Sequence, residues 1–195
     1  RACLEFNRNY DFFSLAGFTY SADLIDSNKK ILEMYAADTG LQKEIWFSDD
    51  PANQAQVGYF KDYLKELCIA DGYSQEEAAD VAEQVAGIMR QLAENALSLA
   101  DTLNPEKIYN LYTGKELETL VSGTITVDML QDIYGVEPEE QICVTDVQLV
   151  KTTAALMTAE NLPAMKEYAK LCARKDTAAY RDMDSFEAMM EYEAK

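Results

Sequence analysis

Three adjacent carboxylate pairs, Asp49–Asp50, Glu76–Glu77 and Glu139–Glu140, are the acid–base material this 195-residue chain offers. Two carboxylates catalyse when they converge on one cleft and their surroundings push their pKa values apart. Each of these pairs stands at a helix start or in a loop, where capping or solvation accounts for it. The chain contains no histidine. That excludes a histidine general base, any Ser–His or Cys–His nucleophile pair, and any zinc site that needs imidazole. Cys3, Cys68, Cys143 and Cys172 form no CxxC pair, so neither a zinc knuckle nor a thioredoxin-type redox site is indicated. Cys68 and Cys172 fall on apolar helix faces, where a buried thiol is expected, although an even count also permits pairing in an oxidising compartment.

Two further stretches hold chemistry-bearing residues. D-L-I-D-S-N (23–28) has the composition of a calcium loop but lacks the alternating ligands, central glycine and terminal glutamate of an EF-hand, so a turn is expected. T-G-K-E (113–116) has a Gly-Lys pair without a preceding phosphate-loop glycine and reads as a helix cap. The twelve tyrosines lack the basic partners of a base-stacking platform and are assigned to core edges and contact surfaces. The sequence therefore assigns no catalytic, cofactor-binding or metal-ligating residue to this chain.

The formal net charge of −18 is unevenly spread, with 5 basic and 18 acidic side chains in residues 51–150 against 7 and 8 in residues 151–195. Such a surface repels phosphate backbones and anionic membranes, which argues against nucleic-acid and membrane contact. Solubilisation is the plain reading of the charge, and a steering field for cationic peptides the sharper one. No run of about 20 apolar residues is present, so no transmembrane helix is expected.

The elements expected around these residues are mainly helical. Residues 74–101 form the longest helical pattern, with Ala78, Val81, Ala82, Val85, Ile88, Met89, Leu92, Ala96 and Leu99 on one stripe. Ser74 and Glu77 make a capping box, and about 27 residues would give a rod of roughly 40 Å. Before it, Asp50 and Pro51 open a helix carrying Val57, Phe60, Leu64, Leu67 and Cys68, which stops at Asp71-Gly72. The short link makes the two an antiparallel αα-hairpin. Residues 11–20 and 31–36 read as a small antiparallel strand pair, with a helical turn as the alternative for the second run, and the first part of the chain reads as non-helical. A turn or single helical turn around Pro105 (104–110) follows the long helix. Thr113 with Glu116, Thr126, Thr145 with Gln148, Asn161, and Asp184 with Glu187 are the expected caps of later helices, and residues 141–144 are extended. The last helix, with Phe186, Met189 and Met190, is expected still to be running at Lys195. Together with a start at Arg1, this leads to the expectation that the chain is an excised segment. One helical lobe spanning 1–195, built on the long hairpin with a small β-hairpin near the N-terminus, is the expected architecture.

The order of these pieces resembles the N-terminal lobe of neprilysin-like zinc metallopeptidases, the family that includes endothelin-converting enzyme and bacterial oligopeptidase O. F-F-S-L-A-G-F-T-Y-S-A-D-L-I-D-S-N (12–28) is similar to the family's apolar strand and turn. G-Y-S-Q-E-E-A-A-D-V-A-E-Q-V (72–85) is similar to its entry to the long helix. N-P-E-K-I-Y-N-L-Y-T-G-K-E-L (104–117) is the most specific, close to the family's Pro-Glu-x-x-Tyr-Asn-x-x-Thr-x-x-Glu-Leu. Q-I-C-V-T-D-V-Q-L-V (141–150) and N-L-P-A-M-K-E-Y (161–168) follow in order. T-G-L-Q-K-E-I-W-F (39–47) departs from the family's Gly-Leu-Gly-Leu-Pro and Tyr-Tyr pattern, keeping Gly40-Leu41 and the aromatic pair Trp46 and Phe47. Leu171 and Cys172 stand where the family often has Trp and a basic residue.

The resemblance implies that HExxH and its distal Glu-x-x-x-Asp lie in a C-terminal catalytic portion, together with the zinc. This segment would then be inactive alone. It would cover the active-site chamber and restrict substrates to peptides, its partners being its own catalytic domain and those peptides. An extracellular or cell-surface parent protein is favoured. The alternative is a stand-alone acidic helical module that binds a protein partner.

Overall fold

Residues 1–10 and 15–195 are described by the structure, a computed structural model. In chain order the elements are α1 (Ala2–Tyr10), β1 (Gly17–Ala22), β2 (Lys30–Tyr35), α2 (Lys43–Trp46), α3 (Pro51–Ala70) and α4 (Gln75–Asn95). There follow α5 (Leu99–Thr102), α6 (Pro105–Ile108), β3 (Asn110–Thr113), α7 (Gly114–Leu120), α8 (Val127–Tyr134), β4 (Gln141–Val144), α9 (Val147–Leu156), α10 (Leu162–Arg181) and α11 (Met183–Glu193). The fold is mainly α with a small sheet, as the sequence predicts. The described residues fall into two compact units, Arg1–Asp38 with Asn95–Thr158, and Thr39–Glu94 with Ala159–Lys195.

The first unit is built on a four-stranded sheet in the order β1-β2-β4-β3. The expected hairpin is present, β1 pairing antiparallel to β2 from Gly17↔Tyr35 to Ala22↔Lys30. The part of that expectation falling on residues 11–14 lies outside the described residues. β4 then pairs parallel to β2, and β3 antiparallel to β4. Period-2 alternation turns Leu32, Met34, Ile142 and Val144 to one face. There they are buried with Leu117, Leu130, Val136 and Val150. Each fully buried aliphatic side chain contributes about 1.5–3 kcal/mol, so this face holds the sheet against its helices.

The N-terminal segment differs from the expected non-helical start, because Ala2–Tyr10 is a helix. Its two turns give little periodicity; among the described side chains Leu4 is buried, and Asn7 donates to the Ala16 carbonyl.

In the second unit, Asp50 accepts from the Ala52 N–H at 2.7 Å, with Pro51 at the first helical position. Phe60, Tyr63, Leu64, Leu67 and Cys68 make the buried face of α3. α10 and α11 pack against it, and Phe60 sits 6.0 Å from both the Trp46 and Tyr192 rings. α3 and α4 form the predicted hairpin, tied across its outside by Lys61 and Glu83 at 2.8 Å.

The long helix is shorter than expected. α4 ends at Asn95 after 21 residues, about 32 Å. A new cap interrupts it: Ser98 accepts from the Asp101 N–H to open α5, the Leu97 N–H goes to Asp146, and Leu99 is half-exposed. Three later caps also differ. Asp146 rather than Thr145 caps α9, Thr145 donating to the Met34 carbonyl instead. Asn161 precedes α10 in helical backbone and makes no side-chain cap bond. Asp182, not Asp184, caps α11 by accepting from the Ser185 N–H at 2.8 Å. α11 ends at Glu193 with Ala194 as its cap.

Hydrogen bonds hold several capping carboxylates below their usual pKa: Ser74 on Glu77, Thr113 on Glu116, and Ser185 on Asp182. A carboxylate depressed in the fold stabilises it above its unfolded pKa, and that stability is lost as pH falls through the folded value. Melting temperature, followed by helical circular dichroism in salt that screens the self-repulsion of an acidic chain, should stay level from about pH 7 to 5. It should fall below about pH 4. A melting temperature that stays level below that pH would show the capping bonds contribute nothing.

Candidate functional site

None of the predicted carboxylate pairs forms a cleft. Asp50 caps α3, and Glu77 accepts the N–H and hydroxyl of Ser74 at 3.0 and 2.7 Å. Glu139 meets Lys115 at 2.5 Å, and Glu140 accepts the Glu137 N–H. T-G-K-E is a full capping box, Thr113 accepting from the Glu116 N–H while the Glu116 carboxylate accepts from Thr113. In 23–28 the Asp23 carboxylate is consumed by the turn itself. Its Oδ1 accepts from the Ile25 and Asp26 N–H groups at 2.7 and 2.9 Å, and its Oδ2 from the Tyr109 hydroxyl at 2.8 Å. Those bonds hold Asp23 below the usual carboxylate range and push Tyr109 up to about 12. Among the described residues, no three His, Cys, Asp or Glu side chains converge as metal ligands.

Two features of the second unit escaped the sequence reading. One is a groove of about 450 Å³ along α3 and α4, lined by Trp46, Val57, Lys61 and Glu83, with Arg90 lying 4.7 Å over the Phe47 ring. The other is a buried ionic junction. Arg174, 2% exposed, reaches Asp71 at the C-terminal end of α3, and Asp182 and Ser185 at the start of α11. Arg181 closes the ring, 3.2 Å from Asp71 and 3.6 Å from Asp182. Burial pulls the Arg174 guanidinium below its ordinary pKa, yet an arginine stays charged, so the two carboxylates are what make its burial tolerable. The available signal was a charged residue three positions past Leu171 on a buried helix face. The junction ties α3, α10 and α11 together.

Cys68 and Cys143 are buried free thiols. Burial pushes Cys68 up to about 11 and raises Cys143 as well. Since the thiolate is the reactive form, neither should be labelled by a chromogenic disulfide at about pH 8 in the folded chain. Both should react at once in denaturant, and fast native labelling mapped to Cys68 by mass spectrometry would contradict its placement.

The family model described as Peptidase family M13, in its N-terminal part, matches residues 1–194. The chain belongs to peptidase family M13. A Streptococcus gordonii protein named for a zinc metalloproteinase in the scaA 5′ region is 22% identical over 175 residues, covering 86% of this chain and 31% of that protein. The fold is that of Mycobacterium tuberculosis zinc metalloprotease Zmp1 in complex with inhibitor, at TM-score 0.82 and 17% identity over 97% of this chain and 29% of that one. It is equally that of PepO from Lactobacillus rhamnosis, at TM-score 0.82 and 15% identity over 98% and 30%. This M13 chain thus spans about a third of the length of the relatives it matches. Its stretch 39–47, where the family pattern is not kept, still forms ordered structure. Trp46 is buried and donates its Nε1–H to the Thr39 carbonyl at 2.8 Å. No helix among the described residues is long and apolar enough to cross a membrane.

Proposed function

We propose that this chain is the non-catalytic N-terminal portion of a zinc metalloendopeptidase, a lobe that covers the active-site chamber and restricts substrates to peptides. The match to the N-terminal family model across residues 1–194 carries the reading. The complete lack of histidine supports it, since an HExxH zinc site cannot be assembled from these residues. In this reading the zinc sits in a separate catalytic portion, where it supplies the Lewis-acid chemistry of peptide-bond hydrolysis. This chain's own residues contribute a wall and hold no proton at a reacting atom. Its partners are that catalytic portion and the peptides admitted to the chamber.

The test is the coding sequence beyond Lys195, together with an assay of the 195-residue chain on a fluorogenic peptide with and without added zinc. The expected result is an in-frame HExxH followed by Glu-x-x-x-Asp, and no hydrolysis by the chain alone. A stop codon within a few residues, or zinc-independent cleavage by the isolated chain, would sink the reading.

A further inference from the structure

Helix α11 (Met183–Glu193) carries three distinct strips, because successive residues step by about 100° around the axis. Ser185, Ala188, Met189 and Tyr192 form the strip turned inward. Ser185 is fully buried, and the Tyr192 ring stacks on Tyr63 at 4.9 Å. The next strip holds Met183, Phe186 and Met190, which are 66%, 38% and 47% exposed. Tyr180, three residues earlier at the end of α10, is 78% exposed. Beside the apolar strip runs an acidic one, Asp184, Glu187 and Glu191, all exposed. None of the three makes an ion pair among the described residues. The cations nearby are engaged elsewhere: Arg174 and Arg181 with Asp71 and Asp182, Lys175 with Asp176, and Lys195 over the Tyr59 ring at 5.2 Å.

Contiguous exposed apolar surface on the order of a few hundred Å² marks an interaction site on a soluble protein. Methionine suits such a site, since its flexible thioether adapts to different partners. The charge beside the strip selects the occupant. A second copy of this chain would bring another net −18 and set one acidic strip against another. Nucleic acid is repelled for the same reason. A helix with one apolar face flanked by lysines or arginines matches both strips at once, the apolar residues laid in as i, i+3/i+4 and i+7 anchors. We propose that the outer face of α11 docks a cationic amphipathic peptide helix, its apolar side on Met183, Phe186 and Met190 and its basic side against Asp184, Glu187 and Glu191.

The test uses the 195-residue chain and two labelled peptides of about 14 residues, long enough for four helical turns. One has Leu and Lys at amphipathic spacing, and the other has Glu in place of each Lys. In fluorescence anisotropy the Leu/Lys peptide should bind and the Leu/Glu peptide should not. Met183→Ser with Met190→Ser should weaken binding at least about tenfold, as the loss of two buried thioether side chains implies. Asp184→Lys, Glu187→Lys and Glu191→Lys together should weaken it as much and admit the Leu/Glu peptide. All these positions are exposed, and an unchanged melting curve checks that each variant folds. The proposal is overturned by absence of Leu/Lys binding, or by binding that neither variant changes, which would assign it to the overall acidic field. It is equally overturned by self-association of the chain that Met183→Ser with Met190→Ser abolishes, since the occupant would then be a second copy.

Discussion

Replacing Gly40 by alanine should destabilise the second unit by about 3–4 kcal/mol, a large share of the roughly 5–15 kcal/mol that holds a domain folded. Two costs combine. Gly40 has φ +69°, where an L side chain is strained. An added Cβ would also lie 2.6 Å from Phe60 and 2.7 Å from the Met89 sulfur. The methionine can shift, but the Phe60 ring cannot. It is 1% exposed and wedged between Trp46 and Tyr192, so moving it disturbs the contact of α3 with both α2 and α11. Gly72 is the control. Its φ is +90° but nothing lies within reach of a Cβ, so alanine there should cost only about 1 kcal/mol of backbone strain. On melting curves Gly40→Ala should fall by about 10 °C and Gly72→Ala by a few. Equal losses at the two positions would show that the close approach to Phe60 plays no part.

That contrast also marks the boundary of what the sequence discloses. Both glycines are visible as punctuation, and Asp50 with Pro51, Thr113 with Glu116 and Thr126 are read correctly as caps because a cap is a bond within four residues. The β1–β2 hairpin is legible because its two apolar runs are joined by one short stretch of loop formers. The parallel pairing of β2 with β4 is not, since it joins residues more than a hundred positions apart through no local pattern. The extent of the long helix is misread because its apolar stripe continues past Asn95, while Ser98 and Asp146 together offer its next backbone groups better partners. Cap choice at α9 and α11 turns on competition among neighbours. Thr145 is drawn to Met34, and Asp182 is already held beside Arg174. The carboxylate pairs read as caps and loops behave so. The groove and the Arg174 junction are invisible in advance, because the groove also needs Trp46 and Phe47 laid against the α3–α4 hairpin and the junction needs α3 brought to α10 and α11.

The junction yields the second large effect, and its sign is unusual. Asp71→Ala should cost about 3–5 kcal/mol, whereas Arg174→Met should cost only about 1–2. The asymmetry follows from exposure. The Arg174 side chain is 2% exposed, while Asp71 and Asp182 are 33% and 38% exposed. Removing the arginine leaves two carboxylates that water reaches and Arg181 still neutralises in part. Methionine then fills most of the space with no charge to desolvate. Removing Asp71 strands a guanidinium that water cannot reach, with Asp182 at 3.4 Å and the Ser185 hydroxyl at 3.3 Å as its remaining partners. The backbone of Asp71, at φ −87° and ψ 0°, suits alanine, so its loss measures the side chain alone. The double variant Asp71→Ala with Arg174→Met should therefore be more stable than Asp71→Ala by itself, since the second change removes the buried charge the first one orphaned. Denaturant unfolding of the four proteins in this cycle gives the coupling directly. If the double variant is no more stable than Asp71→Ala, the guanidinium finds water or another partner on its own, and the carboxylate ring is not what allows a charge to lie between α3, α10 and α11.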